Sequence, residues 1–195
     1  HPLASRALAP AARFGSERGI AINWLPFAVP PLKAPSEPGP NDDRGVRHRR
    51  HRARMIAREI ETYGAAQGLA LRDYYRDGDA HSVELGWLWM RETAPARLLP
   101  FLTEVFRAYW AVELDAADLD AVARTVDREG GDRAAFDAWA ADAGPAHARS
   151  LRESLLARGI GGVPSYLVDG EYFHGRQHLP MIGWILDGRR GPGPI

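Results

Sequence analysis

The stretch Gly161-Gly162-Val163-Pro164-Ser165-Tyr166-Leu167-Val168-Asp169-Gly170 decides how this chain is read. Ser165-Tyr166-Leu167-Val168 has the length and composition of a short strand. Asp169-Gly170 is a two-residue hairpin turn, because an Asp-Gly pair tolerates the positive φ angles that such a turn demands. Glu171-Tyr172-Phe173-His174 is then the partner strand. Downstream, Leu179, Ile182, Trp184, Ile185 and Leu186 fall on helical spacing and predict a closing helix near 177–187. The tail Gly191-Pro192-Gly193-Pro194 holds no regular element.

Upstream of Gly161 the character is different. Residues 46–159 carry apolar residues at helical spacing throughout and no strand pattern. Helices are predicted over 46–68, 80–92, from Pro95 through Trp110, and over 118–129, 132–142 and 145–159. Five prolines between Pro30 and Pro40 leave residues 28–45 as a loop or lid. Before it, Ile20–Phe27 reads as a short buried strand, and residues 3–18 as a helix stopped by Gly19. Helix, strand, a block of helices, then hairpin and helix is an order that suits an α/β sheet with a helical insertion.

Composition sets the outer limits. The 195 residues suit one domain with an inserted subdomain. Twenty-five basic and 25 acidic side chains cancel, so no global field draws the chain to nucleic acid or a membrane. No apolar run approaches the roughly 18 residues needed to cross a bilayer, and no signal-peptide pattern is present, which leaves the cytoplasm as the expected location. The absence of cysteine excludes disulfides, thiolate metal sites and thiol catalysis by the protein itself.

The order of elements, with Gly161–Gly170, Tyr172–Leu179, His1-Pro2-Leu3-Ala4-Ser5 and Ile22–Phe27, resembles the DsbA-like thioredoxin-fold superfamily. There a helical domain interrupts a thioredoxin domain. Within it the chain is most similar to 2-hydroxychromene-2-carboxylate isomerases and kappa-class glutathione transferases. The resemblance divides the chain into a thioredoxin-like domain, 1–45 and 160–195, and an inserted helical domain, 46–159. It implies a cis bond between Val163 and Pro164, and a β-strand that ends where His1 begins. It also places the family's reactive residue at position 1. The oxidoreductases carry Cys there and the isomerases and transferases Ser, whereas this chain has His1 followed by the family's proline, Pro2.

The resemblance further implies glutathione as cofactor, with a thiolate-assisted cis–trans isomerisation of a conjugated aromatic carboxylate; glutathione transfer is the second choice. Val163 and Pro164 would pair with the extended tripeptide. Arg176 and Gln177 stand where related transferases hold the γ-glutamyl end with a Ser-Asp pair; Arg176 suits a carboxylate, while Gln177 lacks the charge that attracts an ammonium. The family's basic residues match Arg52 and Arg54, expected to hold the substrate, within a run at 44–58 of seven arginines and two histidines without an acid. A solvated helix face is the other reading of that run. His1 is open to several: a donor to a thiolate, a general base, a copper-chelating chain end, or a solvated terminus. His81, His147, His174 and His178 show no ligand spacing and read as structural, and no metal site is expected. A homodimer is expected by resemblance. The rival functions are a glutathione-independent biosynthetic enzyme using His1 and a non-catalytic thioredoxin-like binding module.

Overall fold

The computed structural model describes residues 1–194. Helix α1, Pro2–Arg18, starts at a proline that sacrifices no intrahelical hydrogen bond there, with the His1 imidazole as its cap. It ends at Gly19, whose φ of 65° turns the chain out of the helix. Pro10 lies in its interior without ending it. A proline cannot donate to the carbonyl four residues earlier. That carbonyl, Arg6 O, instead accepts from the Gln67 side-chain amide at 3.2 Å.

Residues 20–27 form no strand or other regular element, contrary to the reading of Ile20–Phe27 as a strand. A strand exists only through its ladder, and no described neighbour supplies one. The segment is tied by side chains instead: Trp87 Nε1 donates to Trp24 O at 3.2 Å, and Ala28 is held from both ends, its N–H by Glu84 at 2.8 Å and its carbonyl by Arg152 at 2.8 Å. The proline-rich loop follows. Its clamp is Arg50 of helix α2, Arg44–Ala66, which is buried. Arg50 donates to Ser36 O at 2.8 Å and Glu37 O at 2.9 Å and pairs with Asp42.

Helices α3 (His81–Thr93), α4 (Leu98–Trp110), α5 (Leu119–Arg128), α6 (Arg133–Ala141) and α7 (Gly144–Ala157) form the helical block. Asp118 and Asp132 cap α5 and α6 through the amides of Ala121 and Ala135. Pro95–Arg97 is a short 3₁₀ turn leading into α4. The core of the block contains Leu88, Met90, Phe101, Leu102, Val122, Val126 and Phe136, all sealed from solvent. Gly86 lets α3 meet α5: a Cβ there would lie 2.6 Å from Val122 and 3.0 Å from Phe101.

The hairpin forms as the sequence dictates. Strand β1, Ser165–Val168, pairs antiparallel with β2, Glu171–His174, in the register Ser165↔His174 to Val168↔Glu171. Asp169 and Gly170 take φ angles of 48° and 81°, as a mirror-image turn requires. This two-stranded sheet is all the sheet among the described residues, so β1 is paired along one edge only. A 3₁₀ turn, Arg176–His178, leads into α8, Leu179–Leu186.

Candidate active site

A cavity of about 660 Å³ lies between α1, the segment after it, the hairpin and the helical block. Its lining includes His1, Pro2, Val163, Pro164 and Tyr166, together with Trp24, Glu84, Trp87 and Trp110. Of the tryptophans on the helical block, Trp87 and Trp110 face this space, whereas Trp89 and Trp139 pack together with ring centroids 5.6 Å apart.

The peptide bond between Val163 and Pro164 is cis. The loop is fixed from behind: Pro164 O accepts from the Gly175 amide at 2.9 Å, and Ser165 Oγ donates to Gly162 O at 2.5 Å. The His174 ring packs so closely on Gly162 that a Cβ there would sit 2.6 Å from the ring. Among the described residues, neither the N–H nor the C=O of Val163 has a backbone partner.

His1 lines the same cavity as this loop. Its Nδ1 accepts from the Leu3 amide at 3.3 Å. An imidazole nitrogen that accepts carries no proton, so in the neutral ring the proton sits on Nε2. His1 therefore presents a donor. To act as a base it would have to exchange tautomers and give up the helix cap. Pro2 has no amide hydrogen and the amides of Ala4 and Ser5 turn back to His1 O, at 3.0 and 3.2 Å. The imidazole is thus a free donor at the start of α1, beside the positive end of the helix dipole.

The other residues singled out from the sequence separate from this centre. Arg176 lies outside the cavity lining, its guanidinium carbon 3.8 Å from the centroid of the Tyr63 ring. The Gln177 amide donates to His174 O at 3.1 Å and folds over Gly175. Arg52 and Arg54 lie on α2, away from the lining.

Three residues at or beside the site were not anticipated. Glu84 lines the cavity, and burial holds its carboxyl above the usual range against the pull of the Ala28 amide and Arg152. Burial likewise pushes the Tyr166 phenol up to about 12, against the opposing effect of Arg176. Arg6 is 4% exposed. No sequence signal marks Arg6: an arginine near the start of an amphipathic helix reads as solvated. Glu84 sits three residues from Trp87 on a predicted helix face, which is a usable signal.

A cis-proline loop and the capped start of a helix on one cavity, with a hairpin and helix after the loop and a helical block between the two in the chain, define a thioredoxin-like protein of the inserted type. The chain belongs to the DSBA-like thioredoxin domain family, whose model matches residues 4–186. It is similar in structure to a 2-hydroxychromene-2-carboxylate isomerase, with a TM-score of 0.69 and 17% sequence identity, covering 97% of this chain and 90% of that one. At that identity the likeness speaks to the fold. A search of curated proteins returned no match. No helix among the described residues is long and apolar enough to cross a membrane.

Proposed function

We propose that this chain is an isomerase that borrows its thiol, acting with glutathione on a conjugated aromatic carboxylate. The observation that carries this reading is the shared cavity, whose lining includes both His1 at the start of α1 and the cis Val163–Pro164 peptide, in a chain that has no cysteine of its own. The residues fit glutathione in two respects. Val163 leaves one N–H and one C=O open for an extended peptide, and His1 offers Nε2–H to an anion.

Glutathione, when bound, supplies the nucleophilic sulfur that adds reversibly to a conjugated carbonyl compound. The chain's own part is to position and to stabilise. Val163 orients the peptide backbone. His1 Nε2–H and the α1 terminus favour negative charge beside them. The apolar walls, including Trp24 and Trp87, exclude water and stack against an aromatic substrate. Arg176 is proposed to hold a ligand carboxylate, with Gln177 bracing the same turn. Arg52 and Arg54 on α2 would raise the local concentration of an anionic substrate from solution.

Titration calorimetry with glutathione tests the reading. Binding at millimolar concentration or tighter, weakened in Val163→Pro, which removes the free amide, is the expected result. No heat at millimolar glutathione removes the mechanism and favours the non-catalytic binding module. Turnover that is unaffected by glutathione but lost in His1→Ala would instead assign the chemistry to His1 alone.

A further inference from the structure

Several arginines of the helical block are tied to carboxylates: Arg107 to Glu104 and Glu113, Arg133 to Asp120 and Asp137, Arg97 to Glu129. Helix α2 departs from that pattern. From Arg44 to Arg58 it holds seven arginines and no acid. Arg50 is buried and pairs with Asp42. The other six, Arg44, Arg47, Arg49, Arg52, Arg54 and Arg58, are exposed and make no ion pair among the described residues. The nearest acids along the helix are Asp43, which caps it, and Glu59. Taking the seven arginines from the chain's 25 basic side chains leaves 18 against 25 acidic ones, so the zero net charge conceals a strong local field. At physiological salt a charge is felt over about 8 Å, so a partner lying on α2 meets mainly its arginines.

The placement of these charges selects the partner. Successive residues turn by about 100° around a helix. On that wheel Arg47, Arg54 and Arg58 take one flank of the exposed surface and Arg49 and Arg52 the other, with Arg44 between them. The buried residues of α2 are Arg50, Ile60 and Gly64, all on the opposite side. A bilayer surface would need an apolar outer face, yet Met55 is the one large apolar side chain exposed between 44 and 58. Single-stranded nucleic acid would need stacking rings, and the stretch has no Phe, Tyr or Trp. Duplex RNA has a major groove too deep and narrow to be read by side chains. The major groove of B-form DNA is about 12 Å wide, admits a helix and has phosphates along both walls. A helix with cations on both flanks is complementary to that groove.

We infer that residues 44–58 of α2 form a docking surface for double-stranded DNA, seated in the major groove with one arginine flank on each phosphate wall. Contacts to phosphates fix position and carry no sequence information, so the binding is independent of base sequence. Arg52 and Arg54 also draw in anionic substrate in the function proposed above. The DNA surface requires neither the cavity nor a thiol.

Fluorescence anisotropy of a labelled DNA duplex, titrated with the full chain at several salt concentrations, tests this. The expected result is binding whose log affinity falls with log salt at a slope of about −5, as six neutralised phosphates give. The variants Arg49→Gln/Arg52→Gln and Arg54→Gln/Arg58→Gln each take two arginines from one flank. Each should bind about tenfold more weakly at about 0.1 M salt and flatten the slope by about 2. Arg124→Gln, on α5, is the control and should leave the affinity unchanged. All these side chains are exposed, so circular dichroism should match the wild type; the wild-type slope decides the matter without any variant. No binding at about 50 mM salt, or a slope shallower than about −2, would overturn the inference. So would a loss confined to one flank, or tighter binding of duplex RNA, poly-glutamate or anionic vesicles. The titrations contain no glutathione, so their failure leaves the thiol mechanism standing, and failure of glutathione to bind leaves the DNA surface standing.

Discussion

Single residues carry more of this structure than their types suggest. Gln67 reads as a plain solvated amide near a helix end, yet its Nε2 satisfies the carbonyl that Pro10 leaves open in α1. Gln67→Leu should therefore destabilise the fold by about 1 kcal/mol, the usual worth of such a bond. That corresponds to roughly 2–4 °C in Tm for a chain of this size, and thermal denaturation by circular dichroism checks it. In the double variant Gln67→Leu with Pro10→Ala, position 10 regains an amide that restores the helical bond, and most of the loss should be recovered. Glu84 yields a pH prediction. Burial raises its folded pKa above the ordinary 4.5, so the native state holds the proton more tightly than the unfolded chain. Its contribution is fully present below pH 4.5 and is lost as pH rises through the folded pKa. Glu84→Gln keeps an oxygen to accept from Ala28 and does not titrate. The Tm of the wild type relative to this variant should fall as pH is raised from about 4 to about 7; a constant difference would show that Glu84 is not desolvated.

At the scale of elements, two contacts set how the pieces meet. Gly86 sits inside α3, where an alanine would favour the isolated helix by about 1 kcal/mol. Its neighbours decide otherwise, since a Cβ would lie 2.6 Å from Val122. Gly86→Ala should cost a net 1–2 kcal/mol, roughly, as overpacking exceeds the propensity gain; urea denaturation with an unchanged slope is the expected reading. Arg50 joins α2 to the proline-rich loop through Ser36 O, Glu37 O and Asp42. Arg50→Gln should speed limited proteolysis within 30–42 by about tenfold, with little change in helix content. Asp42, which accepts from Gly39 and Arg50, has a carboxyl held below its ordinary 3.8. The clamp it forms is thus intact above pH 3.8 and loosens only as pH falls below that value. Hydrogen exchange of the loop at about pH 5 and about pH 3 reads this directly, and loosening already at the higher pH would contradict it.

The molecule as a whole places a cavity of about 660 Å³ where α1, the segment 20–27, the hairpin and the helical block meet. Trp24 and Trp87 line it, so an apolar aromatic probe entering it should quench tryptophan fluorescence, and Trp87→Phe should remove a large part of that signal. Quenching unaltered in Trp87→Phe would place the probe elsewhere. Much of this architecture is legible locally. Asp169-Gly170 dictates the hairpin and its register, Gly19 stops α1, and the apolar spacing of 46–159 marks each helix to within a few residues. These are effects of φ preference and periodicity, which act over a few positions, and the sequence alone determined them, along with the exclusion of any thiol chemistry by the protein's own side chains. Ile20–Phe27 shows the limit: its composition favours an extended backbone, but pairing depends on a neighbour that composition cannot name. The site belongs to that second category. His1 and Pro164 lie far apart along the chain and line one cavity, and Arg50, rather than Arg52 or Arg54, turns inward to clamp the loop. Only the tertiary structure decided these, because the burial of a charge and the choice of its partner are set by which helices come to lie side by side.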